Sequence, residues 1–123
     1  MLDNNTYTKL LDSLIGQYKR ENRFLEFKSN YQSPEKLGRY ISALSNGACL
    51  DHVDFGYLFF GVENNTLKIK GTTFDWERET VKNGQSLELY LRRSITPGIP
   101  FQIDEFRYRG KERIVVFKVP AAE

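Results

Sequence analysis

The stretch ENRFLEFKSN, residues 21–30, sets two carboxylates, Glu21 and Glu26, five positions apart, with Lys28 two residues further on. Leu25 and Phe27 alternate with Phe24, Glu26 and Lys28, which predicts a strand over 24–29 with Glu21 just ahead of it. If the chain turns between them, the two carboxylates converge. Glu63, at the end of the apolar run GYLFFGV, would complete a trio. Three acids around one point are hard oxygen donors suited to Mg²⁺ or Mn²⁺. Such an ion cleaves phosphodiesters by activating water and neutralising the phosphate. A plainer reading has Glu26 and Lys28 on one strand face, ion-paired across the sheet to Lys68, Lys70 or Arg107. Acidic clusters are more often structural or solvated than catalytic, so the plainer reading carries more weight on the residues alone.

A second set of charges lies near the carboxyl end. Residues 107–118 hold five Lys/Arg (Arg107, Arg109, Lys111, Arg113 and Lys118) and one Glu, among Phe106, Tyr108 and Phe117. Strands over 101–109 and 112–119, joined at Gly110-Lys111, would make a basic hairpin. Arg107 and Arg109 would share one face of its first strand, opposite Phe106 and Tyr108. Cations aligned along such an arm and its tip suit a phosphate backbone, with affinity gained by counterion release. Arg92 and Arg93 add charge from a nearby helix. A solvated sheet face also carries Lys and Arg to discourage edge pairing, and charge alone does not separate the two readings.

Other constellations are poorer. Cys49, Asp51, His52 and Asp54 lie close together, but one Cys and one His do not fill a zinc shell, and no second pair exists. Nothing places a third group to orient His52 for a Cys–His nucleophile. Gly56 and Gly61 lack the Lys-Ser/Thr of a phosphate loop; close packing or a bulge suits them better. Most aromatic rings fall on apolar faces, leaving Tyr108 as the sole candidate for base stacking.

The elements that would position these residues can be read along the chain. Tyr7, Leu10, Leu11, Leu14, Ile15 and Tyr18 form one helical stripe, predicting a helix over about 6–19. Ser33-Pro34-Glu35 opens a second helix carrying Leu37, Tyr40, Ile41 and Leu44, and Asn46-Gly47 is expected to end it. Residues 56–62 read as a central strand, apolar on both faces, and Leu67–Lys70 as its hairpin partner across Asn64-Asn65. Ser86 caps a third helix bearing Leu87, Tyr90, Leu91 and Ile95, and TPGIP at 96–100 stops it. The order α-β-α-β-β-α-β-β predicts an α+β domain with helices packed on a mixed, mostly antiparallel sheet.

The totals fit that domain. The 123 residues suffice for one hydrophobic core; 40% are hydrophobic and 28% charged. No apolar run approaches the roughly 20 residues of a membrane span, and the start MLDNNTYTK lacks the pattern of a signal peptide. A single cysteine excludes an intramolecular disulfide, which fits a cytoplasmic protein. A net charge of +2 is compatible with a nucleic-acid partner and insufficient to establish one. The Pro-Ala tail after the last strand resembles a linker, so the single domain over 1–123 is expected to be the N-terminal part of a larger protein.

Taken together, Glu21-x4-Glu26-Phe27-Lys28, ISALSNGA at 41–48, GYLFFGVEN at 56–64 and Gly71-Thr72-Thr73-Phe74 resemble the Schlafen AlbA-like domain, found at the N-terminus of many bacterial regulators and ATPase-like proteins. The resemblance covers about residues 20–119. One departure is CLDHVDF at 49–55, where many members run through Gly-Gly straight into the strand. The resemblance implies DNA binding, more than RNA binding, through the basic hairpin, as a module of a transcriptional regulator; a homodimer is expected because it would double the small contact surface. It implies no cofactor. In eukaryotic Schlafen relatives an acidic trio is linked to ribonuclease activity. The matching positions here are Glu21, Glu26 and Glu63, with Lys28 near a phosphate; Mg²⁺ or Mn²⁺ enters only on that alternative. A third reading is an interaction or oligomerisation module.

Overall fold

The computed structural model describes residues 3–95 and 98–123. Seven regular elements follow in chain order: α1 (Asn4–Tyr18), β1 (Leu25–Lys28), α2 (Pro34–Leu50), β2 (Phe55–Phe60), α3 (Leu87–Ser94), β3 (Gln102–Tyr108) and β4 (Glu112–Pro120). The four strands form one mixed sheet in the order β1-β2-β4-β3. β1 runs parallel to β2, while β4 pairs antiparallel with both β2 and β3. This is the α+β architecture that the hydrophobic patterning predicts.

Two cores sandwich the sheet. On one face Leu37, Ile41 and Leu44 of α2 and Leu87 and Leu91 of α3 meet Leu58, Phe60, Val115, Phe117 and Val119. On the other, Tyr7 and Leu11 of α1 meet Leu25, Phe27, Phe59, Phe106, Ile114 and Val116. The central strands β2 and β4 feed both clusters, so their sequences are apolar without alternation. The edge strand β1 buries only Leu25 and Phe27, as its alternation predicts.

The helices begin where their caps stand. Ser33 Oγ accepts the Lys36 amide and Ser86 Oγ the Leu89 amide, both at 3.2 Å. The end of α2 differs from expectation: the helix runs through Asn46-Gly47 to Leu50. Gly47 is needed there for space, since a Cβ at this position would lie 1.8 Å from the carbonyl oxygen of Arg23. The first part of the supposed CLDHVDF loop is therefore the last turn of α2. The strand expected at Leu67–Lys70 is reduced to a single antiparallel bridge between Val62 and Ile69. Gly61, at φ +109°, turns the chain out of the sheet and prevents a longer ladder. The TPGIP stop begins at Thr96-Pro97, outside the described residues, and α3 itself ends at Ser94.

Both sheet edges are blunted. On β1, Asn22 bridges back to Leu25, and the outward amide of Phe27 is taken by Glu21. On β3, Asn4 Oδ1 accepts the Arg107 amide, Thr8 Oγ1 accepts the Arg109 amide, and Arg92 donates to the carbonyl of Phe101. An edge treated this way offers little to a second strand. Among the described residues no helix is long and apolar enough to cross a membrane.

Candidate nucleic-acid interface and the acidic pair

The chain leaves α1 through Lys19, whose left-handed backbone (φ 62°) closes the helix, and doubles back along β1. The turn brings Glu21 beside the strand, where its Oε2 accepts the Phe27 amide at 2.8 Å. Glu26 and Lys28 project to the α2 side and pair with each other, Nζ to Oε1 at 3.2 Å. The Lys28 ammonium also sits 5.0 Å from the centre of the Tyr40 ring. Burial raises the pKa of Glu26, the nearby charge of Glu21 raises it further, and Lys28 opposes both. Burial pulls the pKa of Lys28 down, but the hydrogen bond and charge of Glu26, with the charge of Glu21, more than offset this, and the net shift is upward. Glu26 borders an open, largely apolar groove of about 380 Å³ whose walls include Arg23, Tyr40, Ala43 and Leu50.

Glu63 does not join this pair. Its carboxylate accepts from Thr66 Oγ1 at 2.7 Å and pairs with Lys70 at 3.1 Å, contacts that lower its pKa. The acid predicted to complete a trio is instead bound up in its own loop. Among the described residues, no group of three or more His, Cys, Asp or Glu is arranged to hold a metal ion. The two carboxylates that do come together already have donors, one a backbone amide and the other an ammonium.

The basic hairpin forms with the expected strands but does not stand free. α1 lies along β3, with Tyr7 stacked on Phe106 at 5.2 Å between ring centres. The Tyr7 hydroxyl donates to Asp104 of β3, and the Tyr108 hydroxyl of β3 donates to Asp12 of α1 at 2.5 Å. Each element thus supplies one tyrosine and one aspartate to the other. The partly buried ring of Tyr108 packs against the core, and its hydroxyl is engaged by Asp12.

The cations divide by partner. Arg113, only 17% exposed, grips Glu105 with two nitrogens (3.0 and 3.2 Å) and reaches the carbonyl of Phe74 at 2.6 Å. It fixes the 72–74 loop to the hairpin. Arg92 pairs with Glu88 at 2.9 Å, donates to the Phe101 carbonyl and lies over the Phe101 ring at 4.1 Å. Arg109 pairs with Asp12 at 3.3 Å. Lys118 sits over Phe55 at 4.1 Å. Among the described residues the Arg107 guanidinium donates to the carbonyl of Lys111, at 3.3 Å. Among the described residues, Arg93, Arg107 and Lys111 have no acidic partner within ion-pair distance. Arg107 and Arg109 also do not share a face. Arg109 has left-handed backbone (φ 50°), which breaks the alternation and carries its guanidinium to α1, whereas Arg107 rims a groove beside Thr73 and Arg78.

Lys68 lies outside the cations that sequence reasoning grouped on the hairpin. The 61–71 loop folds against the start of β4: the amides of Lys70 and Gly71 bond to the Gly61 carbonyl, and that of Thr72 to the Arg113 carbonyl. This brings Lys68 to the same end of the sheet as the hairpin turn. Among the described residues Lys68 has no acid within ion-pair distance, although its charge acts on nearby Glu63. Its signal in the sequence is the alternation LKIK, which assigns the lysines to an outward face.

No curated protein matches the chain. The solved structures include a similar fold, the N-terminal domain of a RecG-related protein from Nitrosomonas europaea, determined by solution NMR. The two share a TM-score of 0.56 at 20% identity, over 100% of this chain and 76% of that one. The family described as Schlafen, AlbA_2 matches residues 21–123, from the first acid of the pair to the end of the sequence. With that match spanning β1 to β4, the chain belongs to the Schlafen AlbA_2 family.

Proposed function

We propose that this domain binds nucleic acid through phosphate contacts at the end of the sheet where the β3–β4 turn meets the 61–71 loop. The observation that carries the reading is the pairing of Arg107 and Lys111 across the turn. One guanidinium nitrogen is fixed on the Lys111 carbonyl, and neither side chain is neutralised by an acid among the described residues. Lys68 extends the same surface. Arg113 and Arg92, both anticipated as phosphate contacts, act in this reading as structural clamps. Membership of the AlbA_2 family supports nucleic acid as the partner. DNA is preferred over RNA because the similar NMR domain comes from a protein described as related to the ATP-dependent DNA helicase RecG. The same reading makes the domain a cytoplasmic binding module of a larger, regulatory protein. Few phosphates can be reached, so binding is weak, tolerant of sequence and sensitive to salt.

Fluorescence anisotropy with a 20-base-pair DNA duplex, titrated between 50 and 200 mM salt, tests this. Each phosphate neutralised steepens log K against log salt by about 0.9. The pair Arg107→Ala/Lys111→Ala is expected to remove about two such contacts and to weaken binding uniformly across sequences. An RNA duplex of the same sequence is expected to bind less tightly. A flat salt dependence, or an unchanged slope in the double variant, overturns the reading. The nuclease alternative has no comparable support, because the third carboxylate is committed to Lys70 and Thr66.

A further inference from the structure

Among the described residues, Arg109 is the hairpin cation held by an acid from outside the hairpin, whereas Arg113 pairs with Glu105 within it. Asp12 uses both carboxylate oxygens at this point: Oδ1 accepts the Tyr108 hydroxyl at 2.5 Å, and Oδ2 the Arg109 guanidinium at 3.3 Å. One helical turn earlier, Thr8 Oγ1 accepts the Arg109 amide at 3.3 Å and fixes the left-handed backbone that aims the side chain at α1. The guanidinium also lies 5.3 Å from the Tyr108 ring centre. Three contacts from two elements therefore turn this arginine away from Arg107 and Lys111. Yet its side chain remains 68% exposed, within reach of an outside anion. The helix that supplies Thr8 and Asp12 lies wholly before residue 21, outside the span that matches the family.

We infer that α1 restrains the nucleic-acid surface: Asp12 occupies Arg109 as an internal anion and withholds it from phosphate. The inference rests on the proposed function and concerns its regulation. A phosphate that takes Arg109 must displace a carboxylate held in place by Tyr108. The free domain accordingly binds with fewer counterions released than its cation count allows. Whatever moves or neutralises Asp12 tightens binding without any change at Arg107 or Lys111.

Asp12→Asn tests this without removing the acceptor for Tyr108. In the duplex titration at 50 mM salt, Asp12→Asn is expected to bind roughly three- to tenfold more tightly than wild type. Its salt slope should be steeper by about 0.9. Arg109→Ala alone should change affinity by less than about twofold, because the wild-type arginine is already engaged. In the double variant the gain from Asp12→Asn should vanish. Asp54→Asn, which removes one negative charge at the opposite end of the sheet, should give no steeper slope. If Asp12→Asn leaves affinity and slope unchanged while wild type binds measurably, the restraint is wrong and the interface stands. If the gain survives in the Arg109→Ala background, general charge repulsion explains it and the restraint is again wrong. If wild type shows no salt-dependent binding, the interface falls, and the restraint with it.

Discussion

Arg113 and Glu105 meet diagonally across neighbouring strands, joined by two nitrogen–oxygen contacts of 3.0 and 3.2 Å, with the third guanidinium nitrogen bonded to the Phe74 carbonyl at 2.6 Å. An arginine in a sequence of alternating cations here closes the irregular 72–74 segment over one end of the core. Replacing it with Ala leaves two carbonyls and a carboxylate without their donor. The expected loss is about 2–4 kcal/mol of stability, read from urea unfolding. Arg113→Lys keeps the charge but cannot make three directed bonds, and should recover less than half of the loss.

Gly47→Ala should destabilise despite its helical position, where alanine is ordinarily favoured. The added methyl would meet the Arg23 carbonyl oxygen at 1.8 Å and its carbon at 2.5 Å, backbone atoms that cannot rotate away. Overpacking of this kind costs about 1–3 kcal/mol. A thermal midpoint equal to or above wild type would show that the 20–24 turn yields freely.

Stability should depend on pH through Glu26 in the sense opposite to an ordinary ion-paired carboxylate. Burial and the charge of Glu21 raise its folded pKa above the ordinary glutamate value, so the folded chain holds this proton more tightly than the unfolded one. Between the two pKa values stability therefore falls as pH rises, and it recovers as pH drops through the folded value. Glu63 acts the other way: its lowered pKa contributes stability that is lost as pH falls below the ordinary range. The difference in unfolding free energy between wild type and Glu26→Gln isolates the first effect. It should slope against wild type with rising pH from about 4.5 upward. A flat difference would place Glu26 in a more solvated setting than its pairing with Lys28 describes.

Glu21 is expected to matter for the fold through its acceptor oxygen. Glu21→Gln keeps an acceptor for the Phe27 amide and should leave stability within about 0.5 kcal/mol of wild type. Glu21→Ala strips the outer amide of its partner and should cost about 1–3 kcal/mol. Titration with Mn²⁺, followed by paramagnetic broadening of amide signals, should show no preferential loss around Phe27. Selective broadening there at micromolar Mn²⁺ would revive the metal-site reading.

How much of this was legible beforehand depends on the range of each interaction. The caps at Ser33 and Ser86, the two-sided burial of β2 and β4 and the one-sided alternation of β1 are local patterns, and each predicts the element observed. Asn46-Gly47 misled because glycine after an amphipathic run ordinarily marks a helix end. Its purpose here, clearance for Arg23, lies more than twenty positions away in sequence. The hairpin strands were legible, but the disposition of their charges was not. Arg109 leaves the strand phase by adopting a left-handed backbone, and its acid partner is 97 residues upstream. The pairing of Arg92 with Glu88 is a helical i,i+4 contact and could have been read from spacing alone. The turn expected between Glu21 and Glu26 is present and sets Glu21 beside β1, where its charge acts on Glu26. Glu63 was lost to a hydroxyl and an ammonium within its own loop.

The exchange of tyrosine and aspartate between α1 and β3 has a consequence for how the molecule can be cut. A fragment starting at Glu21 would coincide with the family's matched span, yet it would strip the cover from Phe27, Phe59 and Phe106 and unmask the amides of Arg107 and Arg109. Such a truncated chain would present a greasy sheet face beside a ready-made pairing strand, the usual recipe for self-association. Residues 4–18 thus cover this face for the rest of the domain, and shortened versions made to isolate the family portion should come out of solution.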